Sequence, residues 1–219
     1  MIETAVPPRI PNLLTVAAGP EDLLDALGAI VGSFVEHESA VRAVLLSDGR
    51  SVDGDVESQL DRSHRIAASA DRLGVDEVVL LDHRITDVPR LDVPALVREL
   101  LINLVRPDAI LVADPSDRRA RTARGRLTTY RAAVQLGRLI GVPLYCWAAV
   151  APDRVRVGEP TLEVLVSRTR QRSAMLRFQG IPEVLGRVSR PWPEREYLTR
   201  EGSAPAVAPR PTEQLGSRT

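Results

Sequence analysis

Short apolar segments alternate with longer amphipathic segments along most of this chain of 219 residues. The apolar segments are typical of buried strands and lie at 12–17, 40–46, 77–81, 108–113 and 142–150. Between them, apolar residues recur every three or four positions, which predicts helices over 22–36, up to Leu73, over 93–105 and over 124–140. Strands that alternate with helices form parallel sheets covered on both faces. The order therefore predicts an α/β, Rossmann-like three-layer sandwich with a mostly parallel sheet.

The pattern changes beyond Pro152. One further strand is expected at 161–166 and one further helix at 168–179. Residues 201–219 are rich in Pro, Ala, Ser and Gly and show no periodicity, which predicts a disordered tail. The expected organisation is one domain over residues 1–200 followed by this tail.

Composition removes several classes of function. The sequence contains no lysine, which excludes Schiff-base, pyridoxal-phosphate and phosphate-loop lysines. Its 29 basic and 29 acidic side chains cancel, so no general attraction to nucleic acid or to a membrane surface is expected. The single cysteine, Cys146, has no internal disulfide partner, and we expect it to be buried. Without a signal-peptide pattern or a long apolar run, the expected location is the cytoplasm.

Ligands of open parallel sheets bind beyond the carboxyl ends of the strands. This rule selects five loops, which lie at 18–22, 47–50, 82–84, 114–121 and around Trp147. The first loop carries Glu21 and Asp22 at a predicted helix start. Acidic side chains there either cap the helix or serve as an acid–base pair, and the sequence leaves both readings open. The loop has one glycine where a dinucleotide fingerprint needs three.

An ordered series of short motifs points to a known family. It comprises Ala-Gly-Pro-Glu-Asp at 18–22, Ser-Asp-Gly at 47–49, Leu-Gly-Val at 73–75, Arg-Pro-Asp at 106–108 and the late helix at 168–179. Over about residues 10–200 the series resembles the LmbE-like, or PIG-L, N-deacetylases. This resemblance implies an LmbE-like α/β fold. It also implies hydrolysis of an N-acyl group on an amino sugar or related conjugate, with zinc as the cofactor.

The sequence departs from the family where the family binds zinc. The resemblance places Gly19 at the position of a zinc-binding histidine, Glu21 at the general base and Asp22 at a second zinc ligand. The region expected to hold His-x-Asp-His reads Asp-Arg-Arg-Ala-Arg-Thr at 117–122, without histidine. A hydrolytic zinc site needs about three protein ligands. We therefore expect no metal and no other cofactor, and a loss of the family chemistry.

Arginines stand where the missing histidines would be, at Arg118, Arg119, Arg121 and Arg124. They either replace the positive charge of zinc beside Asp22 or Glu21, bind an anionic small molecule, or form the solvated face of the next helix. If catalysis occurs, Glu21, Asp22 and His83 are the candidate acid–base residues. The candidate ligand-binding residues are Gly19, Asp48, Arg84, Asp114, Arg118, Arg119 and Arg121.

Three functions follow from these residues. The first is an LmbE-like protein repurposed for ligand binding or for metal-independent chemistry on a small molecule, with natural-product biosynthesis as one setting. The second is an N-deacetylase or amidase with an atypical metal site. The third is a non-catalytic partner of an active subunit. The expected partner is a small molecule, anionic if the arginines bind it, and assembly into a homo-oligomer is left open.

Overall fold

The computed structural model describes residues 2–49, 59–117, 125–149, 161–179 and 193–201. Its strands are β1 Ile2–Ala5, β2 Asn12–Ala17, β3 Ala40–Ser47, β4 Glu77–His83, β5 Ala109–Ala113, β6 Leu144–Ala148, β7 Thr161–Leu165 and β8 Arg195–Glu201. They form one sheet in the order β1-β7-β8-β6-β5-β2-β3-β4. Neighbouring strands are parallel except at β8, which runs antiparallel to both β6 and β7.

Helices cover both faces of this sheet. They are α1 Gly28–Glu36, α2 Gln59–Leu73, α3 Val93–Ile102, α4 Arg126–Ile140 and α5 Thr169–Gln179. The apolar faces of α1, α2 and α5 join one buried cluster, and those of α3 and α4 join a second cluster on the opposite face. The structure thus confirms the predicted three-layer α/β sandwich with a mostly parallel sheet.

The strand order reverses direction at β2. From β2 the chain proceeds outward through β3 to β4, and then returns to the other side of β2 to form β5. Connections from adjacent parallel strands that leave in opposite directions open a crevice at the carboxyl ends of those strands. The loops after β2 and β5 border this crevice, which places the segment around Gly19 opposite the segment around Asp117.

The first predicted helix is interrupted. Asp22–Ala26 form a π-helix, closed by a hydrogen bond of 3.0 Å from the Leu27 amide to the Asp22 carbonyl, and α1 begins only at Gly28. The apolar periodicity of 22–36 did not reveal this interruption, because the π-helix and α1 bury their apolar residues in the same cluster. Short π-helical turns occur frequently at functional sites.

Two strands were not predicted from the sequence, β1 and β8. Glu201, assigned to the tail, is instead the last residue of β8, while 202–219 lie outside the described residues. Cys146 is buried in β6, as expected. In the described part of the chain, no helix combines the length and apolarity that a membrane crossing requires.

Candidate functional site

A buried ion pair joins the two sides of the crevice. The Nε atom of Arg126, the first residue of α4, donates to Oδ1 of Asp22 at 2.6 Å. Each side chain is only 1% exposed, and Arg126 heads the largest fully buried side chains among the described residues. The other carboxylate oxygen of Asp22 accepts from the Ala18 amide at 3.3 Å. Asp22 therefore faces the interior rather than solvent.

Asp117, in the loop after β5, extends this pair toward β6. Its backbone carbonyl accepts from Nη1 of Arg126 at 3.3 Å, and its carboxylate accepts from the Ala149 amide at 2.7 Å. The third guanidinium nitrogen of Arg126, Nη2, is buried and has no hydrogen-bond acceptor within the described residues. A buried donor of this kind is costly unless an acceptor reaches it.

A second buried ion pair lies at the same end of the sheet. Glu196 of β8 is 1% exposed, accepts from the indole Nε1 of Trp147 at 2.7 Å, and pairs with Nη1 of Arg168 at 2.6 Å. Burial raises the pKa of Glu196 to about 7, although Arg168 and the indole oppose this shift. The Asp117 carboxylate raises the pKa of Glu196 further because two like charges repel.

Gln171 of α5 links the second ion pair to the π-helix. Its Oε1 accepts from Nη1 of Arg168 at 2.9 Å. Its Nε2 donates to the carbonyls of Leu24 and Asp25, at 3.1 and 2.7 Å. Because the wider turn of a π-helix leaves carbonyls without the usual i+4 donor, a side-chain amide is a suitable partner for them.

Six side chains and the π-helix are thus linked in series by hydrogen bonds and ion pairs, and the carboxylates at the two ends of the series, Asp117 and Glu196, repel each other. This group of residues is hereafter called the site ring. Its members are Asp22, Arg126, Asp117, Glu196, Arg168 and Gln171. Burial also raises the pKa of Asp22, while the charge of Arg126 opposes the rise and that of Asp117 adds to it. The like-charge neighbour of Asp22 is thus Asp117, on another loop, and not the adjacent Glu21 considered from the sequence.

Glu21 is not a member of the site ring and lies beside it, near the turn after β3. Its side chain is half-buried, and its Oε2 lies 3.2 Å from the position that a Cβ on Gly49 would occupy. Gly49 has φ +83°, and its turn is held by Arg62, whose Nε donates to the Asp48 carbonyl at 2.6 Å. Glu21 and Asp48 therefore lie together at the adjacent turns after β2 and β3. Gly19 is buried, and its carbonyl accepts the Asp22 and Leu23 amides.

The other predicted residues have local partners. His83 hydrogen-bonds Glu99 of α3 at 2.7 Å, and in the described structure it makes no contact of this kind with Glu21 or Asp22. Arg84 is exposed. Asp114 accepts from the amide and the hydroxyl of Ser116 in a local turn. The structure therefore does not bring His83 to the carboxylates it was expected to serve.

Arg118, Arg119 and Arg121 lie outside the described residues. The sequence analysis selected these arginines and not Arg126, which makes the contact with Asp22 that was one of the three alternatives considered for them. One available signal was its position, because a cation in the first turn of a helix opposes the helix dipole and needs a specific partner. Glu196 and Arg168 were missed because their contacts join segments that are far apart in the sequence.

Solved structures with the same arrangement of strands and helices identify the fold. N,N'-diacetylchitobiose deacetylase from Pyrococcus horikoshii superposes with a TM-score of 0.61 at 17% identity, over 82% of this chain and 74% of that one. The A40926 pseudoaglycone deacetylase matches with a TM-score of 0.61 at 15% identity, over 90% and 99% of the two chains. This chain has the LmbE-like fold.

The LmbE-like fold also occurs in an enzyme of another reaction class. The 4-carboxy-2-hydroxymuconate hydratase from Pseudomonas putida matches with a TM-score of 0.57 at 20% identity, over 94% of this chain and 99% of that one. No family model and no curated protein matches the sequence. At these identities the likeness establishes the fold, and the function has to be argued from the site.

Proposed function

We propose that this chain is a metal-independent LmbE-like protein whose crevice binds, or acts on, a small anionic molecule. The observation that carries the proposal is the 2.6 Å ion pair between Arg126 and Asp22. The resemblance gives Asp22 the role of a zinc ligand. In this structure the permanently charged guanidinium of Arg126 is hydrogen-bonded to one of the carboxylate oxygens of Asp22. The buried charge is thus neutralised by the chain itself.

The residues at the crevice do not fit zinc. Gly19 offers no donor atom, and Asp22 is bonded to a guanidinium and to an amide. Segment 118–124 contains no His, Cys, Asp or Glu in its sequence. All three histidines of the chain are described: His37 contacts the Ser33 carbonyl, His64 is exposed on α2, and His83 is bonded to Glu99. Among the described residues, no three potential ligands are grouped closely enough for a metal ion.

The arginines favour a negatively charged ligand group. Nη2 of Arg126 is a buried donor that a carboxylate or phosphate oxygen would satisfy. The sequence from 118 to 126 adds Arg118, Arg119, Arg121 and Arg124 without an acidic residue. Glu21, half-buried at the adjacent turn, is the carboxylate that would exchange protons with a bound molecule if chemistry occurs.

The similar structures support a small-molecule role without choosing the reaction. Two are named as deacetylases, one acting on diacetylchitobiose and one on an antibiotic pseudoaglycone, and the third is a hydratase of a carboxylated substrate. The fold therefore accommodates more than one chemistry. A further similar structure is a deacetylase of the teicoplanin biosynthesis pathway, which makes natural-product biosynthesis the setting to examine first.

Metal content tests the metal-independent part of the proposal. The protein, purified without chelator or affinity metal, is measured by inductively coupled plasma mass spectrometry before and after incubation with zinc. We expect far less than one zinc per chain in both samples. Stoichiometric zinc that survives dialysis would contradict the proposal and favour an N-deacetylase or amidase with an atypical metal site.

Ligand binding tests the anionic part. Thermal unfolding is followed with succinate, inorganic phosphate and uncharged N-acetylglucosamine as probes, at constant ionic strength. We expect at least one anion to raise the midpoint in the unmodified protein and to lose this effect in Arg126→Gln. Arg42→Gln removes an arginine from a partly exposed pair with Glu77 and is the matched control. Stabilisation by N-acetylglucosamine alone, or by no probe, would count against an anion site.

The role of Glu21 is tested separately. If the protein turns over a substrate, Glu21→Gln should lower kcat by about 100-fold or more, because it removes proton transfer and keeps the shape. Glu38→Gln, at an exposed residue after α1, should leave the rate unchanged. If Glu21→Gln keeps full biological activity while a co-purifying protein is required, the chain acts as a non-catalytic partner.

A further inference from the structure

We infer that Glu196 is a positioning residue whose protonation state is transmitted through the site ring to the Asp22–Arg126 pair. Glu196 lies on β8 and does not contact Asp22 directly. Its neighbours reach Asp22 along two paths, one through Asp117 and Arg126 and the other through Arg168, Gln171 and the π-helix. The inference rests on the proposed function only in treating the Asp22–Arg126 pair as the binding centre.

Three described segments place a polar or charged group near Glu196, while the residue paired with it on β7 is the apolar Val164. Trp147 of β6 donates an indole N–H, and Arg168, directly before α5, contributes the guanidinium. Asp117, from the loop after β5, contributes a carboxylate of like charge. The single guanidinium at 2.6 Å neutralises Glu196 only in part, because the side chain is excluded from water and faces a second carboxylate.

The first path runs through Asp117. A charge on Glu196 acts directly on the carboxylate of Asp117, which holds the Ala149 amide at 2.7 Å. The backbone carbonyl of the same residue holds Nη1 of Arg126. A proton on Glu196 removes the repulsion between the two carboxylates and so favours a closer approach of the Asp117 loop to β8. A displacement of this loop moves an acceptor of Arg126.

The second path runs through Arg168. When Glu196 is ionised, Arg168 is held between this carboxylate and the Oε1 atom of Gln171. When Glu196 is protonated, the ion pair weakens, and Arg168 keeps Gln171 and the Pro193 carbonyl. Gln171 in turn holds the Leu24 and Asp25 carbonyls in the π-helix that begins at Asp22. Small shifts of Gln171 therefore reach the helix that carries the site carboxylate.

The Gln171 side chain is closely packed and has little space in which to move. A Cβ added to Gly28 would lie 2.8 Å from the Cγ of Gln171. The side chain, which projects from α5, is fully buried against the π-helix and the start of α1. A rigid contact of this kind transmits a displacement instead of absorbing it.

Tryptophan fluorescence supplies the test, because the chain has two tryptophans and one of them hydrogen-bonds Glu196. Trp192→Phe leaves Trp147 as the single reporter, and its emission is recorded from pH 5 to pH 9. We expect one transition with a midpoint near neutral pH, abolished by the additional substitution Glu196→Gln. Asp117→Asn should move the midpoint to lower pH by removing the like charge.

The amide resonances of 22–27 report whether the proton reaches the site. In ¹⁵N-labelled protein these resonances should shift with the same midpoint and stay constant in Glu196→Gln. Glu163→Gln, at a carboxylate on the neighbouring strand β7, is the matched control and should leave both transitions in place. Circular dichroism at each pH verifies that every variant is folded.

Two outcomes would overturn the inference. A Trp147 transition that persists in Glu196→Gln, or is absent from the parent protein, shows that Glu196 does not take up the proton. A Trp147 transition without a matching shift at 22–27 shows that the proton does not affect the site. Neither result depends on metal content or on anion binding, so the proposed function fails or stands on its own experiments.

Discussion

At the scale of single residues, the site depends on charges that the protein has removed from water. Arg126 and Asp22 are each 1% exposed, and each neutralises the buried charge of the other. A buried ion pair adds little net stability over apolar residues of the same shape, but removing one partner leaves an uncompensated charge. The pair therefore holds the two sides of the crevice together and adds little to the free energy of unfolding.

Arg126→Met tests this view by leaving Asp22 buried without its cation. We expect the free energy of unfolding to fall by about 3–5 kcal/mol. The double variant Asp22→Asn with Arg126→Met should recover a large part of that loss, since the uncompensated charge is gone. Both values come from urea unfolding. Arg42→Ala, at the partly exposed pair with Glu77, should cost at most about 1 kcal/mol. Equal losses in the single and double variants would contradict the charge argument.

The raised pKa of Glu196 also predicts how the free energy of unfolding depends on pH. This pKa is about 7 in the folded protein, against an ordinary value of 4.5. Between these values the folded chain keeps a proton that the unfolded chain releases, so rising pH favours unfolding. The free energy of unfolding should fall from about pH 4.5 to about pH 7, by up to about 1.4 kcal/mol per pH unit, and then level off.

The comparison with Glu196→Gln isolates this contribution. Urea unfolding across the same pH range should give a shallower dependence in the variant, because one titrating group is missing. Asp22, whose pKa is also raised, adds a dependence of the same sign in both proteins. A variant whose profile runs parallel to that of the parent protein would show that Glu196 does not bind the proton.

At the scale of elements, glycines with positive φ end the helices that frame the site. Gly74 has φ +93°, and an added Cβ would lie 2.7 Å from the Val35 side chain. Gly141 has φ +75°, and no described atom lies within 4 Å of an added Cβ. The two positions thus share the backbone requirement and differ in the space available.

Alanine at the two glycines separates these costs. Gly141→Ala should lower the free energy of unfolding by about 1 kcal/mol, the cost of left-handed backbone strain. Gly74→Ala should lower it by roughly 2–4 kcal/mol, because overpacking against Val35 adds to the strain. Urea unfolding of both variants gives the comparison. If Gly141→Ala proved the more destabilising, the crowding at Gly74 would have to be relieved by movement of Val35.

Apolar periodicity was sufficient to predict the elements of the layered core. Residues 12–17 are a strand as expected, and α2 and α4 end at Leu73 and Ile140 as expected. The strand β8 was not predicted because Glu196 occupies an inward position beside Leu198. A charged residue there disguises the alternation of buried and exposed positions that marks a strand. Its burial is possible only because Arg168 and Trp147, distant in sequence, meet it.

The candidate site was predictable in location and not in composition. The loops after five strands were expected to border it. Glu21 and Asp22 lie after β2, Asp48 after β3 and Asp117 after β5. The partner of Asp22 was not predictable, because five arginines occur between 118 and 126 and the sequence does not distinguish among them. Only the three-dimensional structure identifies Arg126 as the buried one.

At the scale of the whole molecule, β8 joins two parts of the sheet. It is the only described neighbour that connects β6 with β7, and β1 is bound to the sheet through β7. The sheet from β6 to β4 has the strands that border the crevice, whereas β1 and β7 are attached through β8 alone. The contacts of Glu196 are made from this connecting strand.

Deletion of residues 195–219 should therefore affect the sheet unevenly. Hydrogen exchange is expected to show loss of protection for the amides of β1 and β7, because their hydrogen-bonded connection to the rest of the sheet is gone. Amides of β2, β3 and β5 should remain the most protected. Equal loss of protection in all of these strands would mean that the sheet folds as one indivisible unit.

The position of β8 also determines when the sheet can be completed during protein synthesis. β1 is synthesised before β8, yet β8 connects β1 and β7 to the rest of the sheet, nearly two hundred residues later. During translation the central strands can pair as they emerge, while β1 and β7 gain their connection to them only when β8 has left the exit tunnel. In the interval between the synthesis of β1 and that of β8, β1 is available to factors that bind newly made protein.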